Sequence, residues 1–152
     1  MDIFGQQIDF QPMTIADLEE VMSVENTNYS FPWPRQNFKD CLRSNYQCWL
    51  MKVGQKLAGY SVLSKKGDLA HLLNLSIHRD YQSKGFGRQF LQFMLRQAQT
   101  LNALEVYLEV RVTNTRARQL YVSEGFNEVG KSKDYYPAKK AREDAVVLAF
   151  NL

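Results

Sequence analysis

Leu72-Leu73-Asn74-Leu75-Ser76-Ile77-His78-Arg79-Asp80-Tyr81-Gln82-Ser83-Lys84-Gly85-Phe86-Gly87-Arg88 carries the densest information in this chain. An apolar run that reads as a buried strand feeds a turn with two glycines, and the turn opens a helix. A helix N-terminus presents free N–H groups and the positive end of the helix dipole, so such a turn can hold phosphate. Gly85 and Gly87 let a ligand approach the backbone without Cβ obstruction, and Lys84 and Arg88 add positive charge. The same glycines also suit an ordinary tight turn. The segment lacks the Gly-Lys-Ser/Thr ending of a Walker loop and the third glycine of a dinucleotide fingerprint.

Working outward, the strand spans about 68–77. Its near-continuous apolar run, Leu69, Ala70, Leu72, Leu73, Leu75 and Ile77, predicts cover on both faces. Before it, 47–53 and 57–64 read as a hairpin turning at Gly54-Gln55. Nearer the start come a short strand at 9–13 and a helix opened by a capping box at Thr14 and Asp17. That helix carries an apolar stripe of Ile15, Leu18, Val21 and Met22 to about Glu25. Phe31-Pro32-Trp33-Pro34 breaks the chain, and a second short helix is expected at 35–42. After the glycine turn a helix is expected over 85–101, with Phe86, Phe90, Leu91, Met94, Leu95 and Ala98 inward. Residues 104–112 alternate, with Leu104, Val106, Leu108, Val110 and Val112 on one face and Glu105, Tyr107, Glu109 and Arg111 on the other. Asn114 as N-cap and Gly125 after the end bracket a helix at 115–124. Strands at 126–131 and 145–150 close the chain, with a polar loop at 132–144 between them. The order β-α-α-β-β-β-α-β-α-β-β predicts an α/β (α+β) domain with a mixed, partly parallel sheet of about seven strands and helices on its faces.

The 152 residues suit one domain, 1–152, able to bury roughly 70% of the surface the unfolded chain exposes. Apolar residues at 45% and charged residues at 23% exclude a disordered chain. A net charge of +3 does not point to nucleic acid or an anionic membrane. Cys41 and Cys48 form neither a disulfide framework nor a zinc pattern, and they read as reduced thiols of a cytoplasmic protein. Met1 to Gln7 does not read as a signal peptide, and no apolar run approaches the ~20 residues that span a bilayer. His71 and His78 lack partners at ligand spacing, so no metal site or catalytic triad is expected; His71 reads as structural and His78 as solvent-facing. The basic run Lys131, Lys133, Lys139, Lys140 and Arg142 reads as a solvated loop.

Gln82-Ser83-Lys84-Gly85-Phe86-Gly87 resembles the acyl-CoA-binding motif of the GNAT N-acyltransferase superfamily. Asn114 with Leu120-Tyr121-Val122-Ser123-Glu124-Gly125-Phe126 resembles its next block. Phe31-Pro32-Trp33, Leu108-Glu109-Val110-Arg111, Tyr135-Tyr136-Pro137 and Arg142-Glu143-Asp144-Ala145 resemble the RimI family, bacterial enzymes that acetylate a ribosomal protein's N-terminal alanine. The likeness runs from about Ile8 to Phe150 and is weakest at Ala138-Lys139-Lys140-Ala141.

The resemblance implies a GNAT fold and acetyl-CoA as co-substrate. It implies CoA contacts from the backbone of Leu75, Ser76 and Ile77 and from Ser83, Lys84, Gly85, Phe86, Gly87 and Arg88, with Asn114 on the pantetheine arm. It also implies two central strands that splay, so that a strand-edge N–H reaches the thioester carbonyl, where negative charge develops. Glu109 then matches the proton acceptor and Tyr121 the proton donor. Read without the family, Glu105 is as good a candidate as Glu109, and Tyr121 reads first as a packed aromatic closing its helix against Phe126. The resemblance places Phe31, Trp33, Tyr135 and Tyr136 around an acceptor-peptide groove, and Glu143 and Asp144 are placed to meet a basic peptide. The expected partner is the N-terminus of a ribosomal or other protein. A lysine or small-molecule amine is a competing acceptor. A CoA-binding module without turnover and a nucleic-acid binder are competing classes, disfavoured by the Glu109–Tyr121 pair and by the modest charge.

Overall fold

The computed structural model describes residues 7–152, so most of the Met1 to Gln7 leader reading lies outside the described residues. Among the described residues there are seven strands, β1 (Ile8–Pro12), β2 (Gln47–Val53), β3 (Lys56–Lys66), β4 (Leu69–Ile77), β5 (Glu105–Arg111), β6 (Asn127–Pro137) and β7 (Arg142–Asn151). They form one sheet in the order β1-β2-β3-β4-β5-β7-β6. Only β4 and β5 pair in parallel; the other neighbours are antiparallel. The helices are α1 (Leu18–Asn28), α2 (Arg35–Arg43), α3 (Phe86–Thr100) and α4 (Thr115–Ser123). The expected element order and mixed sheet are both present.

The helices cover both faces. Leu18, Val21 and Val24 of α1 and Phe38 and Cys41 of α2 pack with Leu50, Tyr60 and Val62 on one side. On the other, Phe86, Phe90, Leu91 and Met94 of α3 and Tyr121 of α4 pack with Met51, Leu72, Val106 and Leu108. A fully buried ring such as Phe90 is worth about 3–5 kcal/mol against alanine. No helix among the described residues is long and apolar enough to cross a membrane.

Four local expectations are corrected. The polar loop 132–144 is mostly a hairpin: β6 runs on to Pro137 and β7 begins at Arg142, leaving only 138–141 between them. Nearly every β6 residue is exposed, so this edge strand has no hydrophobic alternation to betray it; its hydrogen bonds to β7 alone make it a strand. The strand buried on both faces is β3, whereas His71, Leu73, Asn74, Leu75 and Ile77 of β4 are only half-buried, the last four because cavities open beside them. Leu104, expected inward, precedes β5 and is 63% exposed. The capping box at Thr14 forms, with its backbone N–H donating to Asp17 Oδ2 at 2.8 Å. Ile15 is nevertheless exposed, and α1 continues to Asn28, burying Val24 and Glu25.

Candidate active site

β4 and β5 pair at only three positions, Leu69 with Glu105, Ala70 with Val106 and His71 with Tyr107. Beyond these, β4 stays with β3 as far as Ile77, with a bulge at Leu73, while β5 follows β7 to Arg111. A bulge bends its strand and increases its twist, so β4 turns away from β5. The expected splay is present, and it leaves the β4 edge over 72–77 facing a gap.

Two cavities open onto this gap. The first, of about 390 Å3, is walled by the glycine turn and the start of α4: Ser83, Gly85, Gly87, Arg88, Arg116 and Leu120. Ser83 (φ 65°) and Gly85 (φ 85°) are left-handed, which folds the turn back over the start of α3. The first N–H groups of α3 have no intrahelical acceptor, so they are available to a phosphate. A Cβ on Gly85 would meet no protein atom within 4 Å; the space there is open. Arg88 is paired with Glu124 at 2.8 Å. Arg116, not singled out from the sequence, adds a second guanidinium; its only sequence signal was a basic residue in a helix's first turn.

The second cavity, of about 740 Å3, lies between the splayed strands. Glu109 and Tyr121 both line it, as do Leu75, Phe31, Trp33, Tyr135 and Tyr136. Asn114 and Ala117 line both cavities and mark where they meet. Asn114 caps α4 by accepting the Ala117 N–H at 3.2 Å. Three sequence-predicted residues stand off the walls. Ser76 is buried, with its hydroxyl bonded to the Tyr29 hydroxyl at 2.7 Å and donating to Asn74 Oδ1 at 2.6 Å. Lys84 Nζ donates to the Asp80 carbonyl at 3.3 Å, and Phe86 is a core ring. Ile77 lines the first cavity.

Glu105 and Glu109 share a face of β5 but not a site. Glu105 lies at the closed end, opposite Leu69, and Glu109 lies two residues past the last pair, where the gap is open. The Glu109 side chain is 15% exposed, and its Oε2 meets His71 Nε2 at 2.6 Å. His71 is thus tied to the carboxylate, a contact that spacing could not show across 38 residues. His78 instead caps the turn at 79–81, accepting the Asp80 N–H at 3.0 Å. Burial pushes the Tyr121 phenol well above its ordinary range, with smaller contributions from Tyr29 and Tyr136, so it keeps its proton at neutral pH.

The side of the cavity lined by Phe31, Tyr136 and Pro137 is held by polar contacts. The Arg111 guanidinium lies 4.6 Å from the Tyr136 ring centre and 5.8 Å from that of Phe31. It donates to the Pro137 carbonyl at 2.9 Å and to Glu143 at 3.1 Å. Glu143 also accepts from Thr113, and these contacts hold its carboxyl below the usual range. Asp144 accepts the Asp134 N–H at 2.9 Å. Glu143 and Asp144, expected to face a basic peptide, both have partners inside the chain, and Glu143 also lines a third cavity with Tyr29, Phe31 and Lys139. Glu25, at the buried end of α1, was not singled out from the sequence; its Oε2 accepts the Trp33 N–H at 2.9 Å and anchors the Phe31-Pro32-Trp33 loop.

Residues 18–126 match the acetyltransferase (GNAT) family. The chain is 32% identical over 134 residues to the ribosomal protein bS18-alanine N-acetyltransferase of Escherichia coli (strain K12), covering 88% of this chain and 90% of that one. It is 33% identical over 135 residues to the protein of the same name from Haemophilus influenzae, covering 88% and 92%. The crystal structure of the ribosomal-protein-S18-alanine N-acetyltransferase from Escherichia coli superposes with a TM-score of 0.89 at 29% identity, covering 95% of this chain and 94% of that one. The chain belongs to the GNAT acetyltransferases and, within them, to the family of the ribosomal-protein-alanine N-acetyltransferases.

Proposed function

We propose that this chain is a cytoplasmic, single-domain enzyme that transfers acetyl from acetyl-CoA to the N-terminal α-amine of a protein. By kinship, the favoured acceptor is a ribosomal protein beginning with alanine. The observation that carries the reading is the meeting of two cavities at Asn114 and Ala117. One is bounded by a phosphate-type turn and the other by Glu109 and Tyr121.

Acetyl-CoA supplies an activated acyl carbonyl. The turn from Ser83 to Arg88 holds its pyrophosphate, Asn114 its pantetheine arm, and the β4 edge at Leu75 to Ile77 offers N–H to the carbonyl oxygen. The acceptor enters past Phe31, Trp33, Tyr135 and Tyr136. Glu109, directly or through water, takes a proton from the amine as the new C–N bond forms. Tyr121 gives its proton to the departing sulfur as the C–S bond breaks. Transfer is direct, in one ternary complex. Cys41 and Cys48 belong to the core on the α1–α2 side, and burial pushes the Cys48 thiol up to about 12, which removes its nucleophilic form at neutral pH.

Mass spectrometry of a peptide library incubated with acetyl-CoA tests the reading. Acetyl on the α-nitrogen of alanine-initiated peptides is the expected product. Acetylation confined to lysine side chains or small amines, or none at all, overturns it.

A further inference from the structure

We infer that His71 is a positioning residue for this reaction, holding the Glu109 carboxylate in the orientation from which it takes the acceptor's proton. The inference rests on the assignment of Glu109 as the base.

The geometry is specific. His71 Nε2 lies 2.6 Å from Glu109 Oε2, with the two side chains 20% and 15% exposed. A carboxylate in its basic form can only accept hydrogen bonds, so Nε2 carries the hydrogen and donates it. Oε2 is thereby occupied, and Oε1 is left for the acceptor. Glu109 lines the large cavity, whereas His71 is not on its wall; His71 therefore acts through Glu109 rather than on the substrate.

His71 is itself held in place. It belongs to the last register pair joining β4 to β5, and its ring stacks on Tyr107 at 4.2 Å and 15°. The strands separate immediately afterwards. Glu109 therefore projects from a strand that has just lost a neighbour, with three side-chain torsions and a broad terminal well. A bond from the rigid end of the sheet compensates for that lost support. Because misplacement by about 1 Å costs up to ~10²-fold in rate, orientation of this one carboxylate matters.

Two substitutions separate the donor from the ring. His71→Phe keeps a ring to stack on Tyr107 but donates nothing; His71→Gln loses the ring and keeps an amide N–H at similar reach. The expected result is a kcat for His71→Phe lowered between about tenfold and 10²-fold, with KM for peptide and acetyl-CoA unchanged. His71→Gln should return to within a few-fold of the parent. In a Glu109→Gln background, His71→Phe should have no further effect on kcat, since residues that act through one another are not additive. Thermal midpoints of all variants identify any loss caused by unfolding. Phe active and Gln impaired, or equal fold-losses in both backgrounds, overturns the inference. Unchanged kcat in Glu109→Gln alone overturns the base assignment and this inference with it. A crippled Glu109→Gln beside an unaffected His71→Phe overturns this inference only.

Discussion

The Tyr60 hydroxyl donates to Glu25 Oε1 across 2.7 Å in the core beneath the acceptor cavity. The other oxygen of Glu25 holds the Trp33 N–H, so one buried carboxylate ties β3 to the loop that walls the acceptor side. Removing it leaves two donors without a partner. Glu25→Ala should cost about 1–3 kcal/mol of stability and should raise KM for the peptide. Acetyl-CoA affinity should stay as it was, because the glycine turn lies elsewhere. Chemical denaturation and steady-state kinetics check both halves.

Alkaline stability should report Tyr60. Burial, followed by the Glu25 charge, raises its phenol above the ordinary value. In the unfolded chain it ionises near pH 10, while the folded chain still holds the proton. Above that pH the native state binds more protons than the unfolded one, so stability falls as pH rises. The contribution is fully present below pH 10 and is lost upward from there toward the folded-state value. Melting temperatures from pH 8 to 11 should drop less steeply in Tyr60→Phe than in the parent.

Glu109→Gln should lower kcat by roughly 10²–10⁴ while acetyl-CoA affinity barely changes. Tyr121→Phe should impair the same turnover. Glu105→Gln should be close to silent, since Glu105 stands at the closed end of the strand pair. A damaged Glu105→Gln beside an intact Glu109→Gln would transfer the base role to the other carboxylate.

Gly85 combines φ 85° with open space where a Cβ would stand. Gly85→Val should therefore weaken acetyl-CoA binding in two ways, by strain of about 1–2 kcal/mol in the left-handed conformation and by filling the ligand's approach. Gly85→Asn tolerates that conformation, so any loss it retains reports the obstruction alone. Calorimetric titration of both variants separates the terms. Parent-like affinity in Gly85→Val removes the pyrophosphate from this turn.

An α-amine should outcompete a lysine as acceptor. With ordinary pKa values of 7.7–8.0 and 10.4, roughly 10% of the first is neutral at pH 7, against well under ~0.1% of the second. Glu109 needs only to finish the deprotonation of an α-amine. An alanine-initiated peptide should therefore be acetylated faster than the same peptide with a blocked N-terminus and an internal lysine. Equal rates would favour a lysine acetyltransferase.

Much of this molecule was legible along the chain. The strand–turn–helix from Leu72 to Arg88, the alternation of β5 and the Asn114–Gly125 bracket of α4 are local signals. They depend on side-chain periodicity, capping and left-handed backbone, all written within a few neighbouring residues. The family motifs added roles to Glu109 and Tyr121. The first half of β6 was read as a strand, but its continuation over 132–137 escaped because an edge strand exposed on both faces leaves no period to read, and pairing with β7 is what makes it a strand.

What the sequence determined by itself was the set of elements, their order and the chemistry available on them. Tertiary structure decided which groups meet. The three-pair contact between β4 and β5 separated Glu109 from Glu105, although both occupy the same face. Folding brought His71 to Glu109 across 38 residues and Glu25 to Tyr60 across 35. It also gave Glu143 and Asp144 hydrogen-bond partners within this chain. The physical reason is one of range. Periodicity and capping act within a turn or two of the backbone, whereas a hydrogen bond depends on ångström-scale positions set by the register, bulges and splay of the whole sheet.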